Sequence, residues 1–275
     1  MRNKRRKISP RMMTESAIMI ALATVLSFIK LVDLPAGGAI TIASMFPIAV
    51  IAFRYGTPWG IFTAIVYGIV QQLVGLSTLS YVTTWQSVVA VVLLDYIVAF
   101  AVIGLAGIFR KKIRRPSTAL IMGSLLACVL RYLCHVISGA TVWAGLSIPN
   151  EAALLYSISY NATYMLPETI ILLLVALYMA ENIDFTKSAI TRIKQENLAK
   201  GTVWMLPCAG LTALAALVYD IVAIFGRLQN EDGVFDLSGI ASVNWLVFAI
   251  INAVAAIVIL TLIIIYKVKQ KKAAN

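Results

Sequence analysis

Long apolar runs, each closed by a short polar or basic break, repeat along the whole chain. Runs near or beyond ~20 residues are what an α-helix needs to cross a bilayer core. In order they predict eight spans: Met13–Ile29, Ala39–Phe53, Thr57–Val74, Trp85–Phe109, Ser117–Gly139, Ala152–Ala180, Thr202–Phe225 and Ser242–Tyr266. Breakers set their boundaries. Leu34-Pro35-Ala36-Gly37-Gly38 turns the chain after the first span, and Thr57-Pro58 opens the third, since proline is tolerated in a first helical turn. Pro116 opens the fifth span, and Pro167 predicts a kink in the sixth. Glu181–Gly201 is the longest polar stretch, amphipathic enough to lie at the membrane surface as a short helix. The fold class expected is an all-α integral membrane protein.

Charge orients the spans. Lys and Arg number 23 against 12 Asp and Glu, for a net charge of +11. Such an excess invites a nucleic-acid partner, but the bases sit in short clusters at span ends: Arg2–Arg11, Arg54, Arg110–Arg115, Lys187–Lys200 and Lys267–Lys272. Placing both termini in the cytoplasm puts every cluster on the inner side, as the positive-inside rule requires. The partner this implies is a lipid bilayer, not nucleic acid. Apart from Lys30 and Arg227, the outer loops hold almost no Lys or Arg. The basic start followed by an apolar run resembles a signal peptide, yet Met13–Ile29 is long for one and the next loop is a poor cleavage site. A retained first helix is expected. Cys128, Cys134 and Cys208 fall within spans and read as small apolar residues, neither a disulfide set nor a metal motif.

The polar residues within the spans carry the chemistry. Asp95 lies inside the apolar run Val88–Phe109, and an acid at that depth marks a polar cavity. At ~1.5 Å per helical residue, His135 lies roughly 8 Å below the outer end of its span, Asn161 and Arg131 about 14 Å, and Asp95 about 16 Å. Arg131, His135 and Ser138 share one helix face, and Tyr156, Tyr160 and Tyr164 step along another beside Asn161. Taken singly, the tyrosines read as interface-belt residues, and Arg131 and Glu168 as a structural pair with each other or with Asp95. Taken together, a carboxylate among aromatic faces suits an organic cation that cannot shed its charge. Asn161 and the tyrosine hydroxyls can read a heteroaromatic ring. The chain has no phosphate loop, no HExxH and no nucleophile beside a base, so no enzyme activity, cofactor or metal is expected. Energy for transport must come from an ion gradient or a separate ATPase.

At these residues the chain resembles the thiamine-specific substrate-binding (S) components of energy-coupling factor (ECF) transporters. The stretches TESAIMIALA, FPIAVIAFRYG, LLDYIVAFAVIGLAGIFRKK, LRYLCHVISGATVW and LYSISYN carry the likeness. The resemblance implies a six-helix substrate-binding membrane domain over residues 1–180. Beyond it lie a cytoplasmic linker, 181–201, and an extra two-helix hairpin with a basic tail, 202–275. It also implies thiamine as ligand, uptake from outside a bacterial cell, and a coupling protein with two cytoplasmic ATPases as partners. By position, Asp95 beside Tyr96 matches a ligand-binding acid. His135 and Trp143 match groups near the thiazolium, and Tyr156 and Asn161 match groups on the pyrimidine side. Ala17 and Ala21 match the alanine motif that docks on the coupling protein. Some relatives have glutamate where this chain has Asp95, and a tryptophan and a glutamate where it has Gly38 and Ile42. Trp85 or Tyr81 is the expected substitute for the missing groups. Rival readings are an S component for a related ligand, such as a thiamine precursor or another vitamin, an ion-coupled transporter using Asp95 and Glu168, and a membrane scaffold.

Overall fold

The computed structural model describes residues 8–34, 38–144, 150–193, 202, 204–225, 227 and 237–274. Among the described residues, apart from short 3-10 turns, there are eight helices, with α4 counted as one irregular helix: α1 Pro10–Phe28, α2 Phe46–Tyr55, α3 Thr57–Val74, α4 Trp85–Gly107, α5 Pro116–Thr141, α6 Ala153–Asn182, α7 Met205–Phe225 and α8 Trp245–Ala274. Six of them, α1 and α4 to α8, are long and apolar enough to cross a membrane. The protein is an all-helical, multi-pass membrane protein. Two short hairpins interrupt the helices, β1 Lys30–Asp33 with β2 Ala39–Thr41, and β3 Ile183–Asp184 with β4 Thr191–Arg192.

The second span differs from the sequence expectation. Ala39–Thr41 is a strand rather than the start of a helix, pairing antiparallel with Lys30–Asp33. Ala43 then takes a positive φ of 51°, which breaks the chain before Phe46-Pro47 opens α2. The 10 residues of α2 are too few to cross alone. Extended backbone at this depth is tolerated because protein surrounds it. Ile40 is buried, the Gly38 amide donates to the Tyr160 hydroxyl (2.9 Å), and the Thr41 hydroxyl donates to Glu168 (2.5 Å).

The linker is corrected too. Glu181 and Asn182 end α6, and the rest of the linker's described part is the β3–β4 hairpin, not an amphipathic helix. Asp184 Oδ1 accepts from the Thr186 amide (2.9 Å) and hydroxyl (2.5 Å), closing a turn that competes with helix. The same hydroxyl bond is the main reason that the Asp184 carboxyl lies below the ordinary aspartate range. The remainder of the linker, 194–201, lies outside the described residues, as do most of the acidic loop between α7 and α8 and much of the basic N-terminal cluster.

Small residues close the half of the bundle nearest the basic segment 110–115. A Cβ on Gly104 would strike the backbone of Ile61 and Gly60, and one on Gly107 would strike the Ala52 carbonyl. Helices α2, α3 and α4 therefore meet backbone to backbone, the close approach that small residues permit in membranes. Arg54, 5% exposed, staples the same end. It donates to Glu15 of α1 (3.0 Å) and to the carbonyls of Phe185 (2.9 Å) and Lys187 (3.2 Å).

Helix α5 shows both environments. Met122, Leu125, Val129, Leu133 and Ile137 form an exposed stripe at helical spacing, a face for lipid. Arg131, His135 and Ser138 point the other way, into the bundle. Beyond α6, Trp204 stacks on Tyr178 (6.4 Å between ring centroids), and α7 joins α8 through Asn252, which donates to Asp220 (2.7 Å).

Candidate ligand-binding site

At the end of the bundle opposite the basic segment, a cavity of about 520 Å³ opens between α1, α3, α4, α5, α6 and the β1–β2 hairpin. Its most elaborate wall is built on Asp95. That residue sits in a π-helical stretch, Val92–Val98, where α4 departs from regular α geometry. Such widened turns occur mostly at functional positions.

Three donors converge on the Asp95 carboxylate. Oδ1 lies 3.0 Å from His135 Nδ1, while Oδ2 accepts from Ser138 Oγ (2.7 Å) and from the Trp143 indole N–H (3.1 Å). His135 Nε2 is buried with no partner among the described residues, so a proton there would be unsatisfied. Placing the proton on Nδ1, where it is donated to Asp95, is the tautomer this geometry favours. In that arrangement the imidazole is neutral and Asp95 keeps its negative charge. Both side chains are 13% exposed.

Helix α6 supplies the opposite wall. Tyr156 and Tyr160 stack at 6.1 Å, and Tyr160 meets Tyr164 edge-on at 5.8 Å. The Tyr164 hydroxyl donates to Asn161 Oδ1 (2.6 Å), and Asn161 Nδ2 donates to the Ser157 carbonyl (2.8 Å). The amide is thus fixed in one orientation. At the floor, Arg131 lies 3.5 Å from Glu168 and over the Phe100 ring, 4.6 Å from its centroid. Its charge is answered locally by Glu168, and among the described residues Asp95 has no arginine or lysine within ion-pair distance. Burying a lone carboxylate is costly unless donors and an incoming cation compensate.

A family model for thiamine transporter proteins (Thia_YuaJ) matches residues 13–187. The chain belongs to the thiamine transporter protein family. It is 36% identical over 168 residues to the thiamine transporter ThiT of Bacillus subtilis (strain 168), across 57% of this chain and 83% of that relative. It also resembles the solved structure of ThiT from Listeria monocytogenes, with 26% identity and a TM-score of 0.50 over 62% of this chain and 92% of that one. Both likenesses fit a bacterial membrane protein. Helices α7 and α8 lie beyond the residues that the family model matches.

Of the residues singled out from the sequence of this thiamine transporter family member, Asp95, Tyr96, His135, Trp143, Tyr156 and Asn161 all line the cavity. Tyr81 and Trp85 do not. They are 64% and 73% exposed, in the turn Leu76–Tyr81 and at the start of α4, and neither replaces a missing wall group. Gly38 is explained differently: a Cβ there would meet the Tyr160 hydroxyl and the Tyr164 ring, so the tyrosines occupy the space of a larger side chain. Ala17 and Ala21 lie on the exposed face of α1, away from the cavity. Sequence reasoning missed Lys30, Thr41, Ser44 and Phe100 as lining groups. A helical reading of residues 39–53 hid Thr41 and Ser44; Lys30 was visible only as a lysine outside the basic clusters.

Proposed function

We propose that the protein is the thiamine-binding S component of an ECF-type importer. The single observation that carries this reading is the unneutralised Asp95 carboxylate, held by His135, Ser138 and Trp143 in a tyrosine-walled cavity of a thiamine transporter family member. Thiamine supplies the matching permanent cation. Its thiazolium settles against Asp95, His135, Trp143 and Tyr96, gaining Coulomb attraction and cation–π contact in a partly desolvated site. Its aminopyrimidine takes the Tyr156 and Asn161 side.

The cavity faces the outside and both termini face the cytoplasm, which agrees with the alternation of the basic clusters. A transmembrane coupling protein docks on α1 at Ala17 and Ala21, and two ATPases supply the energy; exposure of both alanines supports this. Residues 1–180 form the substrate-binding domain, 181–201 the cytoplasmic linker and 202–275 an added hairpin. The end of the family match at residue 187 supports that division. No metal or other cofactor takes part in binding.

The test is a titration of the purified, detergent-solubilised chain with thiamine, followed by intrinsic tryptophan fluorescence. Trp143 reports the cation arriving beside it. Saturable quenching, with the bare pyrimidine weaker, is the expected result. A flat response to thiamine alongside saturable binding of another vitamin would refute the ligand. Uptake by the chain alone in proteoliposomes under an ion gradient would refute the ECF mechanism.

A further inference from the structure

Gly75 follows the last residue of α3, and nothing in its backbone calls for glycine. Its φ of −97° and ψ of 26° lie in the bridge region that ordinary residues take up in turns. Gly56, at the other end of α3, is the opposite case. Its φ of 93° favours glycine, while no atom stands within 4 Å of the place its Cβ would take. At Gly75 a neighbour makes the demand. A Cβ there would lie 2.7 Å from the Tyr96 hydroxyl oxygen and 3.5 Å from Tyr96 Cζ. Ordinary contact between carbon atoms begins at about 3.5 Å, so the ring would fit beside a methyl group and the hydroxyl would not.

Tyr96 has little room to give way. At its backbone α3 and α4 meet through Gly68, where a Cβ would lie 2.6 Å from the Tyr96 carbonyl oxygen and 2.9 Å from Phe100 Cβ. Phe100 flanks the tyrosine ring nearly parallel to it, 11° between planes and 6.3 Å between centroids. Phe100 is itself buried and held edge-on by Tyr67 at 5.3 Å. The Tyr96 hydroxyl donates to Thr78 Oγ1 at 3.4 Å, a loose restraint at that length. The side left open is the cavity, which Tyr96 lines directly after Asp95.

We propose that Gly75 is a positioning residue of the ligand site: its missing side chain is the space in which the Tyr96 hydroxyl stands, and this fixes the tyrosine face relative to a cation at Asp95. The inference rests on the thiamine reading above. Gly75 acts through Tyr96 rather than by touching the ligand. A methyl group at position 75 drives the hydroxyl about 1 Å toward the cavity. The ring then meets the thiazolium at the wrong place, and cation–π attraction depends on where the cation lies over the ring face.

The test measures thiamine dissociation constants of the purified full chain as wild type, Gly75→Ala, Tyr96→Phe and the double variant. Gly75→Ala should weaken binding by about twofold to thirtyfold, the worth of a cation–π contact. Tyr96→Phe keeps the ring and removes the obstructed oxygen, so adding Gly75→Ala to it should cost no further affinity. A glycine needed only for the local fold would bring the same loss in either background. Wild-type affinity in Gly75→Ala, or a loss in the double variant beyond that of Tyr96→Phe, overturns the inference and leaves the thiamine reading intact. If Gly75→Ala alone gives no folded chain, the comparison of Tyr96→Phe with the double variant still decides: equal affinities uphold the inference and a further loss overturns it. Failure of wild type to bind thiamine overturns the reading beneath it as well.

Discussion

Replacing Asp95 by asparagine keeps the shape of the side chain and removes its charge. In the wild type both carboxylate oxygens accept, from His135 Nδ1 at 3.0 Å and from Ser138 and Trp143 at 2.7 and 3.1 Å. Asparagine has one acceptor oxygen. If that oxygen faces Ser138 and Trp143, the amide NH₂ meets His135 Nδ1, and the imidazole proton must move to Nε2, which is buried without a partner. The variant therefore loses both the Coulomb attraction for the ligand and the order of its own wall. Two unit charges about 4 Å apart at an effective dielectric of about 20 interact by about 4 kcal/mol, an upper bound because water screens the mouth. A charge-assisted contact is worth about 1.5–3 kcal/mol, so thiamine binding should weaken by about tenfold to 150-fold. Calorimetric titration of both proteins with thiamine reads this directly. A thiamine analogue with thiophene in place of thiazolium lacks the positive charge, and its affinity should fall less. An unchanged dissociation constant for thiamine, or an equal loss for both ligands, would refute the electrostatic role.

Other perturbations separate binding from folding. Trp143→Phe removes one donor to Asp95 and the reporter beside it; thiamine affinity should drop by about 0.5–1.5 kcal/mol and the fluorescence response should shrink. A variant that still quenches fully would place the reporter elsewhere. Arg131→Met strands Glu168 at the cavity floor and should destabilise by about 3–5 kcal/mol in detergent unfolding, whereas Arg131→Met with Glu168→Met should recover most of it. Equal losses in the single and double variants would show that the pair is not coupled. Gly104→Val drives a side chain into the backbone of α3 and should lower the thermal transition or abolish a monodisperse elution peak, with wild-type behaviour refuting the close packing.

Much of this architecture is legible in the sequence because a bilayer imposes long apolar runs. Helices α3 to α7 start and end within a few residues of the predicted spans, α8 runs on past the expected end at Tyr266 to Ala274, and the i, i+4, i+7 phase of Arg131, His135 and Ser138 correctly places all three on the inward face of α5. What the sequence hides is local. The π-helical stretch at Asp95 shifts the helix without any mark in residue type. The Ala39–Thr41 strand is three residues of an apolar run, too short for periodicity to distinguish strand from helix. Trp85 and Tyr81 were credible from residue type alone, but type says nothing of direction, and both turn outward.

The β1–β2 hairpin also bears on the order in which the chain is assembled during synthesis. The Gly38 amide and the Thr41 hydroxyl find their partners on Tyr160 and Glu168, more than a hundred residues downstream. Until the ribosome has delivered α6, this segment has no protein wall on that side, and exposed backbone amides are not tolerated in lipid. The first and second helices therefore enter the membrane with their connection still hydrated, and the hairpin docks as a late event once α6 arrives. Truncation of the nascent chain before Tyr160 should leave residues 38–41 open to water-borne thiol reagents through introduced cysteines, and extension past Glu168 should protect them.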